Sequence, residues 1–157
     1  MISFSVAVDP NLGIGKDGKL PWHIKEELQV FKRNTLNKNI IMGQTTYDNM
    51  PGKLKDRHTI VATIDPNYKV DDEDTEVIYD LIAFLKDHQF DETEYVVCGG
   101  ASIYRLALPY ASKAYMSFIK KPYDVDTYFN GFDLNDWDIL KEIDHDEFVE
   151  RELKRKD

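Results

Sequence analysis

Glu26 and Glu27 stand side by side in KLPWHIKEELQVFKRNT, residues 19–35, and two adjacent carboxylates on one helix cannot serve the same purpose. A step of about 100° per residue gathers Ile24, Leu28 and Phe31 on one stripe, turns Glu26 toward water and leaves Glu27 at the stripe's edge. A small rotation of the helix would let Glu27 reach solvent. If instead it is buried beside the stripe, desolvation raises its proton affinity, and such an acid suits recognition of an amino-heterocycle. Trp22, between Pro21 and the helix, reads as core, and its N–H needs a partner if it is buried.

Two other stretches could bind phosphate. Cys98-Gly99-Gly100-Ala101 joins an apolar run to a helix-like one. Paired glycines let an anion approach the backbone, and a helix start offers unpaired N–H groups. Met42-Gly43-Gln44-Thr45-Thr46 makes a second such turn, with two hydroxyls. GIGKDG, residues 13–18, fits G-x-G-x-x-G in letters only: Lys19-Leu20-Pro21 follows the third glycine, and no helix opens until about residue 24. It reads as a glycine loop. Arg57, in KLKDR, could grip a carboxylate through two parallel N–H bonds, although an arginine before a strand is by default a surface residue.

The elements that must position these residues alternate. Strand-like runs stand at 2–8, 39–42, 58–63, 75–79 and 94–98, and helix-like stretches fall at 24–35, 45–49, 80–88 and 101–108. This is the pattern of crossover connections and a largely parallel sheet. From 113 onward KAYMSFIK, WDILKEI and EFVERELK are β-rich, predicting antiparallel strands at one edge. Residues 64–74 read as an acidic, solvated loop. An α/β domain of this kind binds ligands beyond the carboxyl ends of its strands, where the turns above lie.

A chain of 157 residues with one core predicts a single domain. Its net charge of -9 argues against non-specific nucleic-acid binding and obliges any anionic ligand to rely on local cations or amides. The four histidines show no ligand spacing, so no metal is expected, and the single Cys98 precludes an internal disulfide. The absence of a leader-like start and of any apolar run near about 18 residues predicts a cytoplasmic protein off the membrane.

Taken together in order and spacing, these residues resemble the dihydrofolate reductase family over essentially the whole chain. The resemblance rests on Ala7, GIGKDGKLPW at 13–22, the acid at 27, Phe31-Lys32-Arg33, Met42-Gly43 with Thr46, Leu54 and Arg57, Gly99-Gly100 with Tyr104, and Asp126-Thr127 with Phe129. It implies an α/β domain with a central eight-stranded mixed, mostly parallel sheet, antiparallel C-terminal strands and four flanking helices. The implied activity is NADPH-dependent reduction of 7,8-dihydrofolate, with hydride transfer to pterin C6 and protonation at N5.

By the same resemblance Glu27 hydrogen-bonds the pterin amino group and N3, supported by Ser117, with Trp22 near an ordered water that delivers the N5 proton. Val6, Ala7, Leu28, Phe31, Met50, Leu54, Cys98 and Tyr104 would surround the substrate, and Arg57 would bind the α-carboxylate of its glutamate tail. Ala7 and Ile14 would meet the nicotinamide, and Gly15, Cys98 and Tyr104 would also touch the cofactor. Gly43, Gln44, Thr45, Thr46, Thr63, Gly99, Gly100, Ala101, Ser102, Ile103 and Thr127 would hold its phosphates and adenosine. Residues 9–24 would form a mobile lid. One departure matters: Gln44 stands where the family commonly has an arginine for the 2′-phosphate, and Thr63-Ile64-Asp65 supplies no base nearby. NADPH remains the expected cofactor, with weaker discrimination against NADH. A monomer open to antifolate inhibition is expected. The competing readings are a reductase of the same fold for another pteridine or a riboflavin-pathway pyrimidine, and a catalytically idle ligand-binding module. Retention of both Glu27 and Arg57 speaks against the first, and the intact acid, lid and glycine turns against the second.

Overall fold

Ile2–Val8 forms a strand, β1, in which all seven residues are buried, a condition met only in the interior of a sheet covered on both faces. The structure, a computed structural model, describes residues 1–50 and 54–157. Around β1 the sheet is completed by β3 (Asn39–Gly43), β4 (His58–Ala62), β5 (Thr75–Ile78), β6 (Tyr95–Val97), β7 (Ala111–Ile119), β9 (Trp137–Asp144) and β10 (Phe148–Arg155). The order is β5-β4-β3-β6-β1-β7-β10-β9. Every pair from β5 to β7 is parallel, and β10 runs antiparallel to both β7 and β9. The eight-stranded mixed sheet and the antiparallel C-terminal edge are as expected.

Among the described residues four α-helices flank it: α1 (Lys25–Thr35), α2 (Gln44–Asp48), α3 (Leu81–His88) and α4 (Ala101–Ala107). α3 is capped by the Asp80 side chain, which accepts from the Ala83 N–H. β1 alternates between two cores. Phe4, Val6 and Val8 enter the larger one, where Phe4 meets Phe129 and Trp137 edge-on at 5.3 and 5.5 Å. Ala7 faces the other way, into a smaller cluster with Trp22, Ile24, Val30, Ile119 and Phe148 beneath α1.

Two local readings are refined. GIGKDG is not a free loop along its length: Gly13–Gly15 forms β2 and pairs antiparallel with β8 (Thr127–Tyr128). A Cβ on Gly13 would lie 2.5 Å from Val125 Cγ2, so this pairing excludes a side chain there. The helical stripe is also rotated from the one simple periodicity draws. Val30 and Thr35 are the buried residues of α1, while Leu28 is 49% exposed and Phe31 half-buried.

Candidate active site

The carboxyl ends of β1, β3, β6 and β7 bring Ala7, Gly43, Cys98 and Ser117 to one edge of the sheet, the edge at which α/β sheets take ligands. Glu27 comes to it from the first turns of α1 and is bonded by the Ser117 hydroxyl of β7, itself only 3% exposed. Burial pushes the Glu27 carboxyl up from its usual 4.5 to about 7, and the Ser117 bond pulls in the opposite direction without cancelling it. Such a group changes charge near neutrality. Beside it Trp22 is 3% exposed and packs edge-on against Tyr123 at 5.4 Å. Its indole N–H is buried and meets no acceptor among the described residues, so this donor is held for something outside the chain.

The walls follow from the strands beneath. Ile40, Met42 and Val96 form a buried floor against which Tyr47, Met50, Leu54 and Cys98 pack half-buried. Leu28 and Phe31 stand on α1, the first exposed and the second half-buried. Burial pushes the Cys98 thiol up to about 12, against the weaker pull of the Arg57 charge, so it serves as an apolar wall rather than a thiolate. Arg57 closes one end. Its Nε donates to Thr35 Oγ1 at 3.1 Å and one Nη to the Lys32 carbonyl at 2.6 Å, while the other Nη bonds the Lys55 carbonyl. Thr35 Oγ1 in turn donates to the Phe31 carbonyl. The guanidinium is thus fixed to the end of the helix that carries Glu27, which is a pre-set geometry for a carboxylate rather than a loose surface arginine.

The two glycine turns meet because β3 and β6 are neighbours. The Gly43 N–H donates to the Gly99 carbonyl at 2.9 Å and the Cys98 N–H to the Ile41 carbonyl at 2.8 Å. Gly99 has φ +121°, joined to Gly100 by a cis peptide, and Thr46 Oγ1 would lie 3.3 Å from a Cβ on Gly100. Backbone and one hydroxyl therefore line a cradle that side chains at 99 and 100 would occupy. Ile103 packs under Gly43, 3.0 Å from the place of its missing Cβ. Ala101 is half-buried at the start of α4, and Ser102 and Thr45 are exposed.

Farther along the edge, Gln44 accepts from the Thr63 hydroxyl at 2.6 Å, and Thr63 accepts from the Asp65 N–H at 3.0 Å. This chain of polar groups contains no cation. On the opposite side β2 carries Ile14, packed against the larger core, and Gly15, with Thr127 3.6 Å from the place of a Gly15 Cβ.

Two of the expected residues have their side chains in the larger core. Val6 sends its side chain into the larger core, on the face away from α1. Tyr104 also lies in that core, with its hydroxyl donating to the Ser5 carbonyl at 2.7 Å, so it underpins the glycine turn rather than presenting a free hydroxyl. Sequence reading passed over Asp9. It is 2% exposed, accepts from the Asn11 and Gly13 N–H groups at 2.9 and 2.8 Å, and from the Tyr123 N–H at 3.2 Å. The signal was legible: an aspartate directly after a strand, with Pro10 and Asn11 behind it, is a side-chain-capped turn. Asp126 makes the second tie, accepting from the Asp17 N–H at 3.0 Å while its own N–H donates to the Gly15 carbonyl at 2.9 Å.

A buried acid, an anchored arginine and a side-chain-free cradle along the carboxyl edge of a parallel sheet define the class: an α/β enzyme with a phosphate-bearing cofactor beside an amino-heterocycle. Residues 1–154 match the family model described as dihydrofolate reductase. The dihydrofolate reductase of Bacillus subtilis (strain 168) is 36% identical over 140 residues, 89% of this chain and 82% of that protein. That of Mycoplasma pneumoniae is 33% identical, covering 94% of both. Among solved structures, dihydrofolate reductase from Enterococcus faecalis, complexed with NADP(H) and RAB-propyl, superposes with a TM-score of 0.85 at 28% identity. It covers 100% of this chain and 97% of that one. The chain belongs to the dihydrofolate reductase family.

Proposed function

We propose that the chain reduces 7,8-dihydrofolate to tetrahydrofolate with NADPH, and the observation that carries this reading is the Glu27–Ser117 pair facing a cleft closed by Arg57. A carboxylate of raised proton affinity can pair with the amino group and N3 of a pterin and share a proton with that ring. Ser117 holds its orientation. Leu28, Phe31, Met50 and Leu54 supply apolar walls for the flat rings, and Arg57 donates to the tail carboxylate, which fixes the distance from tail to pterin. The orphaned Trp22 N–H beside the acid fits an ordered water, the carrier by which a proton reaches N5.

The cradle at Gly43, Thr46, Gly99 and Gly100 fits a pyrophosphate, because backbone and hydroxyl donors approach where no Cβ intervenes. When bound, NADPH supplies the hydride for pterin C6, and the added proton at N5 completes the two-electron reduction. Ala7 and Ile14 then border the nicotinamide. Residues 9–24, tied at Asp9 and Asp126, act as a lid that excludes water while the rings are in contact. We further take the enzyme to be a cytoplasmic monomer; among the described residues no helix is long and apolar enough to cross a membrane.

The direct test is absorbance at 340 nm with dihydrofolate and either NADPH or NADH. Consumption of neither cofactor overturns the reading. The same assay distinguishes a reductase for another pteridine, which would leave dihydrofolate untouched, and an idle binding module, which would bind without turnover.

If the cradle at β3 and β6 held the pyrophosphate and β1 bordered the nicotinamide, Gln44, Thr63 and Asp65 near β4 would be the residues to meet the adenosine. A ribose 2′-phosphate there meets an acid and no cation, whereas a 2′-hydroxyl meets acceptors. Gln44→Arg is therefore expected to tighten NADPH by roughly tenfold, the scale of one charge-assisted bond, and NADH much less. Dissociation constants for both nucleotides check this; an equal effect on both shows that position 44 does not face the 2′-phosphate.

A further inference from the structure

Three residues lie side by side on the α1 face of the sheet. Ala7 of β1 pairs with Ser117 of β7, and Ser117 pairs with Glu150 of β10. Directly opposed residues share a face, with Cβ atoms about 5 Å apart. Ser117 bonds Glu27, so the next side chain in the row is a second carboxylate. Glu150 is 6% exposed, an environment in which an unpaired charge costs several kcal/mol. Its two oxygens have separate partners: Oε2 pairs with the Arg33 guanidinium, and Oε1 meets His145 Nε2 at 2.9 Å. His145 is itself fixed, stacked on Phe148 with ring centroids 4.3 Å apart.

Arg33 is on α1, as is Glu27. The helix therefore touches this row twice, with Glu27 over Ser117 and Arg33 over Glu150. Its other ties are few: Ile24 and Val30 pack in the cluster beneath it, Arg57 bonds Thr35 and the Lys32 carbonyl at its far end, and Ile24 at its N-cap makes no side-chain cap bond. An ion pair with one charge buried is a stiff tether, because releasing Arg33 leaves the buried carboxylate with His145 as its one remaining side-chain partner among the described residues.

We propose that Glu150 is a positioning residue for the reaction: by gripping Arg33 it seats α1 on β7 and β10 so that the Glu27 carboxylate meets the Ser117 hydroxyl. This rests on Glu27 being the acid that binds the pterin.

The test compares Glu150→Leu, Glu150→Gln and Arg33→Met with Ser117→Ala and Glu27→Gln in steady-state assays across pH, with nucleotide binding measured separately. Glu150→Leu and Arg33→Met should each raise the dihydrofolate KM by about tenfold or more. They should move the pH limb of kcat/KM in the same direction as Ser117→Ala, and leave the NADPH dissociation constant unchanged. Combining the two should add little to either alone. Glu150→Gln, which still accepts from Arg33, should recover most of the loss and keeps the test open if the leucine variant does not fold. A lowered melting temperature with unchanged dihydrofolate KM and an unmoved pH limb overturns the proposal, as does a limb shifted opposite to that of Ser117→Ala. Full turnover in Glu27→Gln would instead remove the reading on which it rests.

Discussion

Glu27→Gln is expected to lose on the order of 100-fold or more in turnover of dihydrofolate at pH 7, the usual scale for removing a positioned acid–base group. The amide keeps the size of the side chain and can still bond Ser117, so the loss measures the proton and the charge. In the native enzyme kcat/KM should fall above about pH 7 as the buried acid ionises, because this profile reports the free enzyme. The variant should lack that limb. Near-native turnover with the limb intact would assign the chemistry to another group.

The same substitution should stabilise the protein without ligands. Burial raises the folded-state value of Glu27 from 4.5 to about 7, so the folded state binds its proton more tightly than the unfolded chain. The stability this proton contributes is fully present below about pH 4.5 and is lost as the pH rises through 7. Over that interval the loss is about 3 kcal/mol. A neutral amide does not suffer it, though its own burial takes back part of the gain. Glu27→Gln should therefore melt roughly 4–8 °C higher than the native chain at pH 8.5, for a gain of about 2 kcal/mol, with the difference vanishing toward pH 4. Scanning calorimetry at the two pH values decides it, and a difference independent of pH would show that Glu27 is not charged at the cost of folding.

Arg57→Met is the second large effect. Loss of a charge-assisted, two-bond contact to a tail carboxylate should raise the dihydrofolate KM by roughly 100-fold, while the KM for NADPH stays near its native value. A pterin lacking the glutamate tail separates the causes, since its binding should be indifferent to the substitution. Thr35→Val should shift the same constant in the same direction but less. It removes one of the guanidinium's three anchors and leaves the Lys32 and Lys55 carbonyls in place. If tailed and tailless pterins weaken alike, Arg57 supports the wall instead of reading the tail.

Much of this arrangement could be read before the structure, for definite reasons. Alternation of apolar runs marks strands because side chains repeat every two residues, and the parallel arrangement follows from the helices between them. Glu27 was separable from Glu26 by helical angle alone. The union of the two glycine turns was not readable, since it depends on β6 inserting between β3 and β1, a pairing between distant segments. Arg57 shows the same limit. Its anchors are two backbone carbonyls and Thr35, and carbonyls carry no residue identity. Glu150 was hidden differently: in EFVERELK it reads as one of several charges on an edge strand, and only the packing of α1 singles it out for burial.

Leu28, with half its surface in water, and the half-buried Phe31, Met50 and Leu54 have one more consequence, for how such a protein changes over generations. A residue that contributes little to the core can be exchanged with little effect on folding, whereas a fully buried leucine replaced by alanine costs about 2–5 kcal/mol. The cleft walls are thus the part of this molecule where sequence can drift while the scaffold persists. Under selection by an inhibitor lodged between α1 and the sheet, the first tolerated replacements should arise there, and not in β1, where every side chain is committed to holding the sheet together.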